Sequence, residues 1–102
     1  MDLSLEDTIT QVVALPERLQ RTYYLINLKL YGEPGFSDLT PAELAANMGG
    51  DTELVGWALI VLKEAGLVWV EDTEVNGFPY HFIHTTAHDK GWVQNGKVVG
   101  PH

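Results

Sequence analysis

At 102 residues and 45% hydrophobic content, the chain has the size and composition of one domain with a real core. It has no cysteine, which excludes a disulfide framework and a thiolate zinc site. Six basic residues against fourteen acidic ones give a net charge of −8. Such a field repels a phosphate backbone and leaves few cations to displace its counterions.

Residues 1–15 begin polar and then become Thr8-Ile9-Thr10-Gln11-Val12-Val13-Ala14-Leu15. The β-branched residues there suit a short strand, while Ser4 with Asp7 three residues on suits a capped helix, and the two readings stand side by side. The opening residues lack the positive start and apolar run of a secretion signal. No apolar stretch approaches the roughly 20 residues that span a bilayer. The expected location is cytoplasmic.

Pro16 suits the first position of a helix running to about Tyr31, stopped by Gly32 and Pro34. Leu19, Tyr23, Ile26 and Leu30 recur at helical spacing and should face the core. Tyr24, Leu28 and Tyr31 form a second apolar row, so this helix should be covered on more than one side. A Gly- and Pro-containing loop leads to Thr40-Pro41-Ala42-Glu43, an N-cap, a first-turn proline and a capping-box glutamate. The short helix they start runs to about Met48 and buries Leu44 and Ala45, and Gly49-Gly50 makes the turn. Asp51 caps a longer helix reaching about Ala65, which Gly66 ends in the left-handed conformation.

The period then changes from helical to alternating. Leu67 to Val75, Asn76-Gly77 and Phe78 to Thr86 predict a hairpin with a type I′ turn. Pairing across the turn sets Val75 opposite Phe78, Asp72 opposite His81 and Trp69 opposite His84. Pro79 cannot donate to a ladder and marks an edge. The tail from Ala87 to His102 carries a weaker hairpin signal at Asn95-Gly96.

Two helices joined by a glycine turn, preceded by a helix and followed by a hairpin, give an α+β order that resembles the winged helix-turn-helix superfamily. The resemblance covers residues 16–86, within a single domain spanning 1–102, and leaves 1–15 and 87–102 as flanking segments. It is carried by Leu39-Thr40-Pro41-Ala42-Glu43-Leu44-Ala45-Ala46-Asn47-Met48-Gly49 and by Val55, Ala58, Leu59, Leu62 and Gly66-Leu67-Val68. Small bacterial, plasmid and phage regulators or replication initiators are similar in character. The resemblance implies a role around DNA transactions, although the fold also hosts protein-binding modules.

In DNA-reading members the start of the second motif helix presents polar and basic side chains to the major groove. Here that region offers Thr52, Glu53, Leu54, Gly56 and Trp57, and the wing offers Glu71, Asp72 and Glu74. Between Glu33 and Glu74 lie nine acidic residues and one basic residue, Lys63. The sign is wrong for phosphate. A helix that buries Val55, Ala58, Leu59 and Leu62 and still carries Leu54, Trp57, Ile60 and Val61 needs a second cover, from another subunit, a partner or the chain's own tail. Glu53, Leu54, Trp57, Ile60 and Val61 are therefore the candidate protein-interaction residues, with Trp57 as anchor.

The contrary reading, a DNA-binding transcriptional regulator or replication-initiator-type protein, would use Arg18, Arg21, Lys29, Thr52 and Lys63. The three basic residues of the first of these helices would equally match an acidic surface, including that of a second copy. A further possibility is an acidic surface that imitates nucleic acid and occupies a basic partner.

His81 and His84 point to opposite faces of a strand, which spoils a shared metal site, and no thiolate stands nearby. Pairing of Asp72 with His81 and of Trp69 with His84 would instead give pH sensitivity between about 5 and 7. No Walker loop, dinucleotide fingerprint, nucleophile elbow or paired metal motif occurs. The sequence thus predicts a non-catalytic interaction module, with no cofactor, metal or small-molecule substrate, acting through a protein partner or as a homodimer.

Overall fold

In the computed structural model, which describes residues 3–101, five helices and two β-hairpins follow one another. The expected flanking segments also include residues 1, 2 and 102, which lie outside the described residues. Of the two readings of the N-terminal segment, the helix is the one that forms. Helix α1, Leu5–Ala14, starts where the Ser4 hydroxyl accepts the Asp7 N–H at 3.0 Å. Thr8 is fully buried and satisfies its hydroxyl on the Ser4 carbonyl at 2.8 Å, while Val12 and Leu15 pack against the core. The helical cost of β-branched residues, at most ~0.7 kcal/mol each, is small beside such burial.

Helix α2 spans Glu17–Lys29, one residue later at its start and two shorter at its end than the sequence suggests. Pro16 serves as N-cap rather than first helical residue. At the far end Leu30 leaves the helical region at ψ 61° while keeping its side chain buried, and Tyr31 is exposed. Leu19, Tyr23, Ile26 and Leu30 all face the core as expected.

Helices α3 (Pro41–Ala46) and α4 (Thr52–Glu64) form the next pair. The Thr40 hydroxyl accepts the Glu43 N–H and donates to Glu43 Oε1, both at 3.2 Å, closing the box through side chains. Asp51 Oδ1 accepts the Leu54 N–H at 2.9 Å. α3 stops at Ala46, short of Met48. α4 ends through Gly66 at φ 77°, which lets the Leu67 N–H reach the Leu62 carbonyl at 3.0 Å.

Strands β1 (Val68–Val75) and β2 (Phe78–Thr85) pair antiparallel about Asn76-Gly77, with Trp69 opposite His84 and Asp72 opposite His81. Both turn residues have positive φ, as a type I′ turn requires. At the base Val68 and Ile83 enter the core. The loop before α3 docks there, with the Ile83 N–H donating to Leu39 at 2.8 Å and the Ser37 hydroxyl donating to the Ile83 carbonyl at 2.5 Å.

The chain does not continue as strand through Thr86. The Thr85 hydroxyl accepts the His88 N–H at 3.0 Å and caps a one-turn helix, α5, Thr86–Asp89. A small hairpin of β3 (Val93–Gln94) and β4 (Lys97–Val98) comes next. Its Asn95-Gly96 turn lies on α2. A Cβ on Gly96, at φ 82°, would sit 2.7 Å from the Tyr24 ring and 3.2 Å from Leu28. The second apolar row of α2 is thus covered in part by the tail.

Gly96→Val should therefore cost about 2–4 kcal/mol in urea unfolding, from a strained φ together with overpacking. Adding Tyr24→Ala should restore the steric part. A variant as stable as the parent would disprove the seating of the tail on α2.

Candidate protein-interaction surface

The outer face of α4 is the part of the predicted site that the fold leaves open. Val55, Ala58, Leu59 and Leu62 form the buried stripe. Opposite them Trp57 is 46% exposed and Ile60 59%, with Leu54 and Val61 half-buried and Glu53 exposed. Among the described residues no element fully buries this second side of the helix, and the tail, one candidate cover, is seated on α2 instead.

Gly56 interrupts the face with no side chain, and an apolar groove of about 290 Å³ opens between α3 and α4, walled by Pro41, Ala42, Ala45, Val55 and Leu59. Pro41 and Ala42 also border a second recess of about 370 Å³, completed by Pro79, Tyr80 and His81 of the hairpin. Singly exposed apolar residues are ordinary on a protein surface. Several apolar residues sharing one helix face, as here, are a different matter.

The residues named for DNA do not form one basic patch. Thr52 and Lys63 are exposed at opposite ends of α4, about 16 Å apart at 1.5 Å per residue. Arg21 pairs with Glu17 at 2.6 Å on the solvent side of α2, Arg18 is exposed, and Lys29 is half-buried in the last turn. Thr22, between them, is buried and donates to the Arg18 carbonyl at 3.0 Å.

Both expected histidine pairs form. His81 Nδ1 stands 2.6 Å from Asp72 Oδ1 in solvent. The His84 ring stacks on Trp69 at 4.2 Å and 14°. Two partners of His84 were not foreseen. Its Nε2 lies 2.7 Å from Glu71 and its Nδ1 3.2 Å from Asp89, while Trp69 Nε1 donates to the other Asp89 oxygen at 2.6 Å. Glu71 was within reach of the register, being the diagonal neighbour of His84 on one sheet face. Asp89 was not, since it depends on the turn into α5. Glu71 and Asp72 of the hairpin are therefore engaged by imidazoles. Among the described residues no group of three or more His, Asp or Glu side chains is placed to hold a metal ion, and no helix is long and apolar enough to cross a membrane.

His88 is on α5, away from the strand register, and buried. Burial pushes its pKa below the ordinary histidine value, with Asp89 opposing that shift and His84 adding to it. No family model, curated protein or solved structure matches this chain.

Gly56→Ala meets nothing within 4 Å, so it should stabilise the fold by roughly 0.5–1 kcal/mol through helix propensity alone. A shift of the urea midpoint in the other direction would show that the helix needs the bare backbone. For His88, the unfolded chain binds the proton more readily than the folded one. Its contribution is complete above the unfolded pKa, near 6.5, and is lost as pH falls below it. The stability of the native chain should therefore decline from pH 7 to 5 more steeply than that of His88→Gln. Parallel curves would refute this.

Proposed function

We propose that the chain is a winged helix-turn-helix module without catalytic chemistry that acts by binding protein through the outer face of α4. The family reading is supported by the order α2, α3, Gly49-Gly50 turn, α4 and hairpin, with the expected stripe of α4 in the core. The observation that carries the functional reading is the row Leu54, Trp57 and Ile60. Trp57 and Ile60 remain exposed and Leu54 half-buried among the described residues, with the exposed Glu53 on the same face of α4.

A partially exposed tryptophan suits the anchor role that aromatics take at interfaces. The acidic rim selects a partner with a basic border and disfavours phosphate. A second copy of the chain is the first occupant to test, because two-fold homo-oligomers are the commonest assemblies. A component of transcription or replication machinery is the other.

The test is solution mass over a concentration series, for the native chain and Trp57→Glu. The native chain should approach dimer mass, and the variant should weaken association roughly 30-fold or more, the equivalent of an anchor worth about 2 kcal/mol. Its helical circular dichroism should not change, since Trp57 lies outside the core stripe. A variant that associates as the native chain does would overturn the role of this face. So would DNA binding with a steep salt dependence that is lost in Arg18→Glu/Arg21→Glu, which would return the chain to the DNA-binding regulators.

A further inference from the structure

The β1–β2 hairpin presents a surface of its own, which shares no residue with the α4 face. Side chains alternate along a strand, so the observed register gathers Phe78, Tyr80 and Phe82 of β2 with Val75, Thr73 and Glu71 of β1 on one face. The Tyr80 and Phe82 rings stack, with centroids 5.6 Å apart and planes 12° from parallel. Ring pairing of this kind stabilises a hairpin, and it accounts for Phe82, which is half-buried. It does not account for Phe78, 67% exposed beside the turn, or for Tyr80 and Val75, 39% and 43% exposed. The three rings on alternate residues make a row about 13 Å long.

The charge around this row has one sign. From Val68 to Thr85 the hairpin holds Glu71, Asp72 and Glu74 and no Lys or Arg. Glu71 stands opposite Phe82. It keeps Oε1 on His84, yet its side chain is 42% exposed. The faces of aromatic rings are the negative part of their quadrupole, so the rings and the carboxylates favour the same ligand, a cation. A nucleic-acid strand could stack its bases on such a row, but it needs a basic groove for its phosphates, and the surroundings here are acidic. The same face of a second copy would set carboxylates against carboxylates.

We propose that this face binds an extended basic peptide segment, with arginines at alternate positions stacked on Phe78 and Tyr80. A guanidinium is planar and weakly hydrated, so it can cover a ring and still bond a carboxylate, which a lysine ammonium does less well. In an extended segment the side chains on one face recur every ~6.6 Å, the period of the aromatic row itself, so arginines on alternate residues match its spacing.

The experiment is calorimetric titration of the full chain with the capped peptide Arg-Ser-Arg-Ser-Arg and with Lys-Ser-Lys-Ser-Lys, which carries the same charge. The arginine peptide should bind saturably and shift the β2 amide signals in NMR spectra, and the lysine peptide should bind at least about threefold more weakly. Phe78→Leu/Tyr80→Leu keeps the apolar bulk and the charge while removing two ring faces. It should weaken the arginine peptide about tenfold and leave the amide spectrum outside the hairpin as it is. Trp57→Ala should leave binding unchanged, which separates this surface from the α4 face. Equal affinity for the two peptides, or for the native chain and the leucine variant, would reduce the effect to attraction by acidic charge and would overturn the proposal. So would an absence of saturable binding, or binding of oligothymidylate that the leucine pair abolishes, which would make the row a stacking platform for nucleic acid.

Discussion

The contact on which the remaining arrangement depends is the Asn95-Gly96 turn against Tyr24 and Leu28 of α2. A small domain has limited apolar cover to distribute, and here the C-terminal hairpin goes to α2. The core face of α2 is already occupied by α4 and the base of β2, so the tail covers part of its second row, leaving Tyr24 and Leu28 partly exposed and Tyr31 exposed. That one docking has two consequences. Trp57 and Ile60 on the outer face of α4 stay exposed, and a partly open recess forms that the turn lines together with Asn27 and His88. A bare backbone at residue 96 is the condition for both, because any Cβ there would push the hairpin off the ring beneath it.

Much of this was legible in the sequence wherever a local rule and a buried face agree. The stripes Leu19–Leu30 and Val55–Leu62, the Thr40 and Asp51 caps and the hairpin register each come from a period or a turn residue that fixes the answer alone. Residues 1–15 stayed open because β-branched propensity and a capping serine point in different directions, and only the burial of Thr8, Val12 and Leu15 decides between them. The tail was least legible. Thr85 ends a strand and caps α5 at once, and a one-turn helix has too few residues to show a period. Everything that depends on α5 was therefore hidden, including the carboxylate of Asp89 on His84 and the placing of His88 beside Asn27.

The same short helix reorganises the polar interior. Thr85 accepts from His88 and donates to Asn27, so a single hydroxyl orients an amide on α2 and the first turn of α5. One residue earlier, His84 is held between carboxylates from the hairpin and from α5, with Trp69 stacked on it and bonded to the same Asp89. Such a closed set of partners fixes the angle between the β1–β2 hairpin and α5, where apolar packing alone would allow sliding.

The acidic charge also takes on a definite distribution. At the hairpin, Glu71 and Asp72 face imidazoles, and Asp89 shares His84, so part of the negative field is answered locally. Asp51 answers a helix N-terminus instead, and Glu43 closes its own cap. Glu53, in the first turn of α4, is favourably placed for the helix dipole and is exposed beside Trp57. Its charge therefore stabilises the helix from within and still projects outward at the rim of the apolar row. A basic residue in its place would face the positive end of the dipole unfavourably, whereas a polar neutral one would forgo the favourable term. One acidic side chain thus meets a requirement of the helix and at the same time gives its exposed face a negative charge.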